Sequence, residues 1–217
     1  MPITTAPMHV LWTGEFGERV ARHVEHMTGS PSQRADLAGL QPAAWPHTPL
    51  RLVATWRLEA TLLHEVARLH QACRTPWLPV VHEYPVIRVG PLIVPGQGPC
   101  HDCYIRRRAQ HDRASTGAAA LRASLASAAD HGVSGFTDAQ ARIAAGLALD
   151  VVDQEDPASG HRAGLVLFYD VLSRSLVADT VVRVHGCADC GTPPHPDDGW
   201  EHLAADLLSA AAGGGHR

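Results

Sequence analysis

Residues 8–27, "MHVLWTGEFGERVARHVEHM", decide the fold. The first part is a short apolar run that stops at Gly14, which is how a buried strand reads. In the second part Phe16, Val20 and Val24 recur every four residues, the spacing that places side chains on one face of a helix. A strand, a glycine turn and a helix in immediate succession predict an α/β domain. The glycine turn holds only a fragment of a dinucleotide loop, Gly14-Glu15-Phe16-Gly17, without the full G-x-G-x-x-G pattern. Glu15 also places a carboxylate where a phosphate would approach the helix N-terminus. The turn is therefore read as structural.

Outward from this unit the same alternation continues. Residues 29–49 are broken by prolines and read as loop with one short element at most. "LRLVATW" (50–56) is a second strand. The following stretch carries Leu58, Leu62, Val66, Leu69 and Cys73 at helical spacing, which predicts a core position for Cys73. Between Pro76 and Pro95, valines and prolines alternate and predict short strands separated by kinks. Helices are expected over 104–113 and 117–129, and a third with Thr137 as N-cap and Ala141, Ala144, Ala145 and Leu149 on its buried face. "AGLVLFYDV" and "LVADTVVRV" flank "LSRS" as a hairpin. A last helix, "GWEHLAADLLSAAA", precedes a frayed tail at about 213–217.

The 217 residues are 45% hydrophobic and 18% charged with a formal charge of −4, an ordinary composition for one folded domain. That charge gives no general reason to bind nucleic acid or an anionic membrane. No apolar run approaches the ~20 residues that span a bilayer, and the start lacks the pattern of a signal peptide. The expectation is a cytoplasmic protein. All 18 basic residues are arginine, which excludes a P-loop lysine and a Schiff-base lysine.

Two C-x-x-C pairs, Cys100/Cys103 and Cys187/Cys190, stand far apart in the sequence. A four-thiolate zinc site takes two ligands from each of two such knuckles, and Gly98-Pro99 and Gly191 suit the tight turns required. A structural Zn²⁺ on Cys100, Cys103, Cys187 and Cys190 is the reading; a redox pair, two unrelated pairs or disulfides are the alternatives. A closed set of four thiolates leaves no position for water, so such an ion holds structure and performs no hydrolysis. His101 and Asp102 are read as surface residues, Arg106, Arg107 and Arg108 as a solvated helix face, and His82 and Glu83 as ordinary strand or loop residues. Gln110-His111-Asp112 pairs with no nucleophile. No catalytic and no cofactor-binding residue is assigned.

Three stretches together, "VLWTGEFGERVA", "IRVGPLIVPGQGPCHDCYIRRRAQHD" and "VADTVVRVHGCADCG", resemble the ThiF-like proteins of azoline-forming peptide natural-product clusters, relatives of ubiquitin-activating enzymes. The resemblance covers nearly the whole chain. It implies a Rossmann-like α/β core with a C-terminal hairpin, zinc on the four cysteines named above, and a homodimer. It further implies a non-catalytic partner that presents a ribosomal precursor peptide to a YcaO-type, ATP-using cyclodehydratase. The usual N-terminal winged-helix module has no counterpart before the first strand, so the chain is expected to be a single domain over 1–217. The precursor is then met directly, for example on an exposed strand edge, or through a separate leader-binding protein. The competing functions are a divergent ATP-dependent adenylating enzyme and a zinc-stabilised binding protein outside peptide modification.

Overall fold

The computed structural model describes residues 8–35, 40, 42–57, 59–111, 135–153 and 161–191. The helices expected over 117–129 and near the C-terminus, the tail at 213–217, Leu58, and Asp112 lie outside them. The elements run β1 (Met8–Thr13), α1 (Gly14–Thr28), β2 (Ser32–Arg34), β3 (Leu50–Trp56), α2 (Ala60–Cys73), β4 (Trp77–Glu83), β5 (Val86–Val89), α3 (His101–His111), α4 (Asp138–Asp153), β6 (Leu165–Asp170) and β7 (Ser175–Thr180). They form a mixed α/β fold on one seven-stranded sheet, ordered β2-β1-β3-β4-β5-β6-β7.

The sheet has two halves. From β2 to β4 the strands are parallel, with Leu11 opposite Val53 and Val53 opposite Pro79. From β4 to β7 they are antiparallel, with Val80 opposite Val89 and Phe168 opposite Val177. Buried on both faces, β1 and β3 carry apolar side chains at most positions, with His9, Arg51 and Thr55 as buried exceptions, which is why "MHVLWT" and "LRLVATW" read as runs and not as alternations. The alternation survives in where each side chain goes. Leu50, Leu52 and Ala54 pack with α1 and α4, whereas Val53 packs with Leu62, Leu63 and Val66 of α2 on the opposite face.

Helix α1 lies close on the sheet because of Gly17, whose missing Cβ would strike the Ala54 carbonyl. That approach lets Phe16, Val20 and Val24 bury completely, each worth about 1.5–3 kcal/mol relative to exposure. Helix α4 starts as the sequence predicts. The Gln140 N–H donates to Thr137 Oγ1 at 3.3 Å and the Thr137 N–H to Gln140 Oε1 at 2.8 Å, a reciprocal capping box. Its Ala141, Ala144, Ala145 and Leu149 are all buried. The 165–180 hairpin turns through Asp170, whose Oδ1 accepts the N–H groups of Leu172 and Ser173 at 2.8 and 2.9 Å.

Four expectations are corrected. Cys73 is exposed: the buried stripe of α2 runs through Leu62, Leu63, Val66 and His70 instead, so the helix turns Cys73 outward. The expected kinks between Pro76 and Pro95 do not divide β4, which passes through Pro79 as seven continuous residues. Proline lacks only its donor, and the Pro79 carbonyl still accepts the Gly90 N–H at 2.7 Å. His101 is buried, packed 5.6 Å from the Trp77 ring; burial, aided by the Arg88 charge, holds its pKa down to about 3. The arginine triplet is not simply a solvated face. Arg108 pairs with Glu83 at 2.5 Å, and Arg107 donates to the Arg183 carbonyl at 2.9 Å. Among the described residues no helix is long and apolar enough to cross a membrane.

Candidate metal centre

The two knuckles come together where α3 begins and where the chain leaves β7. The first turns on Gly98, which packs so tightly against Ala163 that an added Cβ would sit 2.5 Å from the Ala163 side chain. Cys100 precedes α3 and Cys103 lies in its first turn. The second knuckle closes through the Gly191 N–H, which donates to the Cys187 carbonyl at 2.7 Å. A Cβ at Gly191 would collide with that carbonyl, so this knuckle requires glycine. One side chain ties the halves together: Arg183 donates to the carbonyls of Gly98 at 2.8 Å and Gly96 at 3.0 Å.

The ligand atoms of Cys100, Cys103, Cys187 and Cys190 all lie within 4.8 Å of one another. Cys100 Sγ is 3.7 Å from Cys103 Sγ and 3.6 Å from Cys187 Sγ, and Cys103 Sγ is 3.4 Å from Cys190 Sγ. These separations are far beyond a disulfide bond of about 2.05 Å, and all four thiols are free. A metal–sulfur bond of about 2.3 Å at the tetrahedral angle demands sulfurs about 3.8 Å apart. The cluster therefore has the size of a four-thiolate metal site and could hold a metal ion.

The surroundings favour thiolate at one position in particular. Burial pushes the thiols of Cys100 and Cys190 up, the latter to about 11. At Cys187 burial acts the same way, but the N–H groups of Cys190 and Asp189 and the neighbouring sulfurs pull the thiol down to about 7. The Val184 N–H also donates to Cys103 Sγ at 3.3 Å. Such N–H to sulfur bonds stabilise the charged ligand. Asp102, beside these cysteines, is held by Arg106 at 2.6 Å.

The other candidate site in the sequence, the glycine turn, lies where the strand order reverses between β1 and β3. Ligands of open α/β sheets bind outside the carboxyl ends of strands at such a point. Several of the chain's own side chains border this position. Gly14 sits at φ +62°, with the Trp56 Cβ 2.9 Å from where its own Cβ would lie. Thr13 Oγ1 donates to Glu59 Oε1, and burial, opposed by that bond, raises the Glu59 carboxyl. Phe136 closes over the same end, 5.8 Å from the Trp56 ring and 5.3 Å from Phe16. His82 packs against Phe16 at 4.8 Å. Although burial pushes the Glu83 carboxyl up, Arg88 and Arg108 hold it below the usual range.

No protein family and no curated protein matches the chain. Solved structures do. A heterocyclase in complex with substrate and cofactor aligns with a TM-score of 0.64 and 16% identity, over 87% of this chain and 26% of its own. The heterocyclase TruD aligns with a TM-score of 0.61 and 18% identity, over 93% of this chain and 32% of its own. MccB of E. coli aligns with a TM-score of 0.60 and 12% identity, over 88% of this chain and 66% of its own. At these identities the likeness is one of fold. The chain spans only about a quarter to a third of the two heterocyclase chains.

Proposed function

We propose that this chain is a ThiF-like, non-catalytic partner protein of azoline-forming ribosomal peptide biosynthesis. It works in the cytoplasm as a single domain with a Rossmann-like core, and helps a YcaO-type, ATP-using cyclodehydratase act on a precursor peptide. The observation that carries this reading is the likeness over most of this chain to one part of two heterocyclases. A fold shared with one part of two heterocyclases suits a role alongside such an enzyme. The glycine turn supports the non-catalytic half of the reading, since it lacks the full G-x-G-x-x-G pattern and carries Glu15 where a phosphate would approach the helix N-terminus.

In this reading Cys100, Cys103, Cys187 and Cys190 hold one Zn²⁺ as four thiolates. When bound, the ion supplies cross-linking and no open coordination position. The chain's own residues do the rest. Arg183 fixes the first knuckle against the end of β7, and Gly191 lets the second close. The protein forms a homodimer, and it meets the precursor directly or through a separate leader-binding protein.

Reconstitution tests the proposal. With a YcaO-type cyclodehydratase and its full-length precursor, addition of this chain should raise the rate at which the peptide loses one water mass per ring formed. The two proteins should co-elute. Unchanged turnover together with separate elution at micromolar concentrations overturns the partner role.

A further inference from the structure

The amino ends of the central strands, opposite the glycine turn, hold a cluster that the partner role does not use. Arg51, the second residue of β3, is only 5% exposed. Its guanidinium donates from Nε to His9 Nδ1 at 3.1 Å and from Nη2 to the Pro46 carbonyl at 3.0 Å. Its Nη1 lies 3.2 Å from His70 Nε2. The group also lies 4.6 Å from the centre of the Trp45 ring.

Arginine has donors and no acceptor. The two imidazole nitrogens facing it must therefore accept, which keeps both rings neutral. His70 then carries its proton on Nδ1 and donates it to the Val66 carbonyl at 2.7 Å. Burial, with the nearby guanidinium, holds His9 and His70 down to about 4. The three partners of Arg51 are thus all uncharged, and among the described residues its positive charge meets no carboxylate. Of the five N–H groups of a guanidinium, three are engaged among the described residues, which leaves one on each terminal nitrogen without a described partner.

Arg51 and His70 line a cavity of about 300 Å³ with Trp45, His47, Leu69 and Cys73. An adjoining shallow surface depression shares His47 and Cys73 and adds Arg74. The described lining of the two includes both arginines and no carboxylate. A buried charge without a counter-charge is costly, and two spare N–H groups on a guanidinium match the paired oxygens of a carboxylate or phosphate. The C-terminus of α2 opposes an anion through its dipole, which amounts to about half a charge. Its final carbonyls, however, are engaged by the N–H groups of Arg74 and Thr75, and Arg51 contributes a full positive charge.

We propose that this cavity binds a small oxyanion, a carboxylate or a phosphate monoester, with Arg51 at its base and Trp45 and Leu69 against the ligand's apolar part, while Arg74, on the adjoining depression, adds only longer-range attraction. The site is separate from the metal centre and independent of the partner role, so either can fail without the other.

Benzoate and phenyl phosphate, which share a ring and differ in the anion, are the probes for calorimetry on the full chain with its metal. Cys73 supplies a second readout. It is exposed at the rim, whereas the other four cysteines gather at the metal centre, so occupancy should slow its alkylation by iodoacetamide. Saturable binding at one site per chain with slowed alkylation is expected, and whichever probe binds tighter identifies the anion. Arg51→Gln should weaken binding by about tenfold or more, and Arg74→Ala, at the surface, by a few-fold. Should Arg51→Gln not fold, Arg74→Ala and the protection of Cys73 decide. No saturable binding of either probe up to about 10 mM, or equal affinity in the folded variants, overturns the site.

Discussion

The cysteine centre and the glycine turn both read in the sequence as fragments of ligand sites, yet the fold treats them in opposite ways. Around the turn it brings in its own side chains: Trp56 against Gly14, Glu59 on Thr13, Phe136 across the end. Around the cysteines it brings four sulfurs to metal-site spacing. The difference teaches that a motif becomes a site according to what the rest of the chain delivers to it. One place is bordered by the chain's own side chains, and the other gathers four sulfurs that could hold an ion.

The comparison breaks most visibly at Cys187. Replacing it with serine should release the metal, measured by elemental analysis, and lower Tm on the order of 10 °C. Stoichiometric metal retained in the variant, or no metal in reduced wild-type protein, would falsify the ion-holding half. At the other site the sensitive residue is Gly17, where closeness to β3 and not ligand binding sets the requirement. Gly17→Ala should cost about 1–3 kcal/mol in denaturant unfolding, through the collision with the Ala54 carbonyl.

Acid sharpens the contrast differently, because it protonates thiolates and also reaches His9 and His70. In the folded protein burial, with the Arg51 charge, holds these histidines to about 4; unfolded, they titrate near 6.5. Below about pH 6.5 the unfolded chain takes up protons that the fold refuses, so stability falls toward pH 4 and then levels. In the metal-free Cys187→Ser protein, a Tm scan over that window should isolate this slope, and His70→Gln should flatten it. A slope unchanged in His70→Gln counts against the assignment.

A milder change is Arg183→Ala, which keeps every ligand and removes the clamp on Gly96 and Gly98. Metal affinity, read by competition with a chelator, should drop by about tenfold with the ion still bound at stoichiometric concentrations. The smallest effect is expected at Glu15. Wild type and Glu15→Lys should both give no heat with magnesium and ATP and no pyrophosphate exchange with precursor peptides, with stabilities within about 0.5 kcal/mol. Micromolar ATP binding by the wild type would reopen the adenylating alternative.

Much of this was legible in advance for a physical reason. "LRLVATW" became β3 residue for residue because a strand buried on both faces is apolar at most of its positions, which marks its limits against the proline-broken loop before it. Thr137 capped α4 because its hydroxyl and Gln140 satisfy each other across one turn. The cysteine spacing foretold the cluster because two thiols on a tight knuckle have few other geometries. What stayed hidden were polar groups buried by distant partners. His101 follows a cysteine as a surface residue would, and only the Trp77 ring makes it core. Arg108 belongs to a charged run, but Glu83 comes to it from the end of β4. A signal did exist for Arg51 and His70: an arginine inside an apolar strand, and a histidine one turn beyond Val66 on the buried stripe of α2, are places where a polar residue must have found partners.

The metal centre also has a consequence in time. Cys100 and Cys187 are separated by 87 positions, and a ribosome adding about 5–20 residues per second needs roughly 4–17 s to go from one to the other. During that interval Cys100 and Cys103 have emerged while the second knuckle does not yet exist. The parallel half of the sheet, whose strands all precede them, can assemble meanwhile, but the first pair of thiols waits as an open, two-ligand clasp. The four-sulfur cluster is therefore incomplete, and its first two thiols lack their partners against oxidation, until the 165–180 hairpin is made.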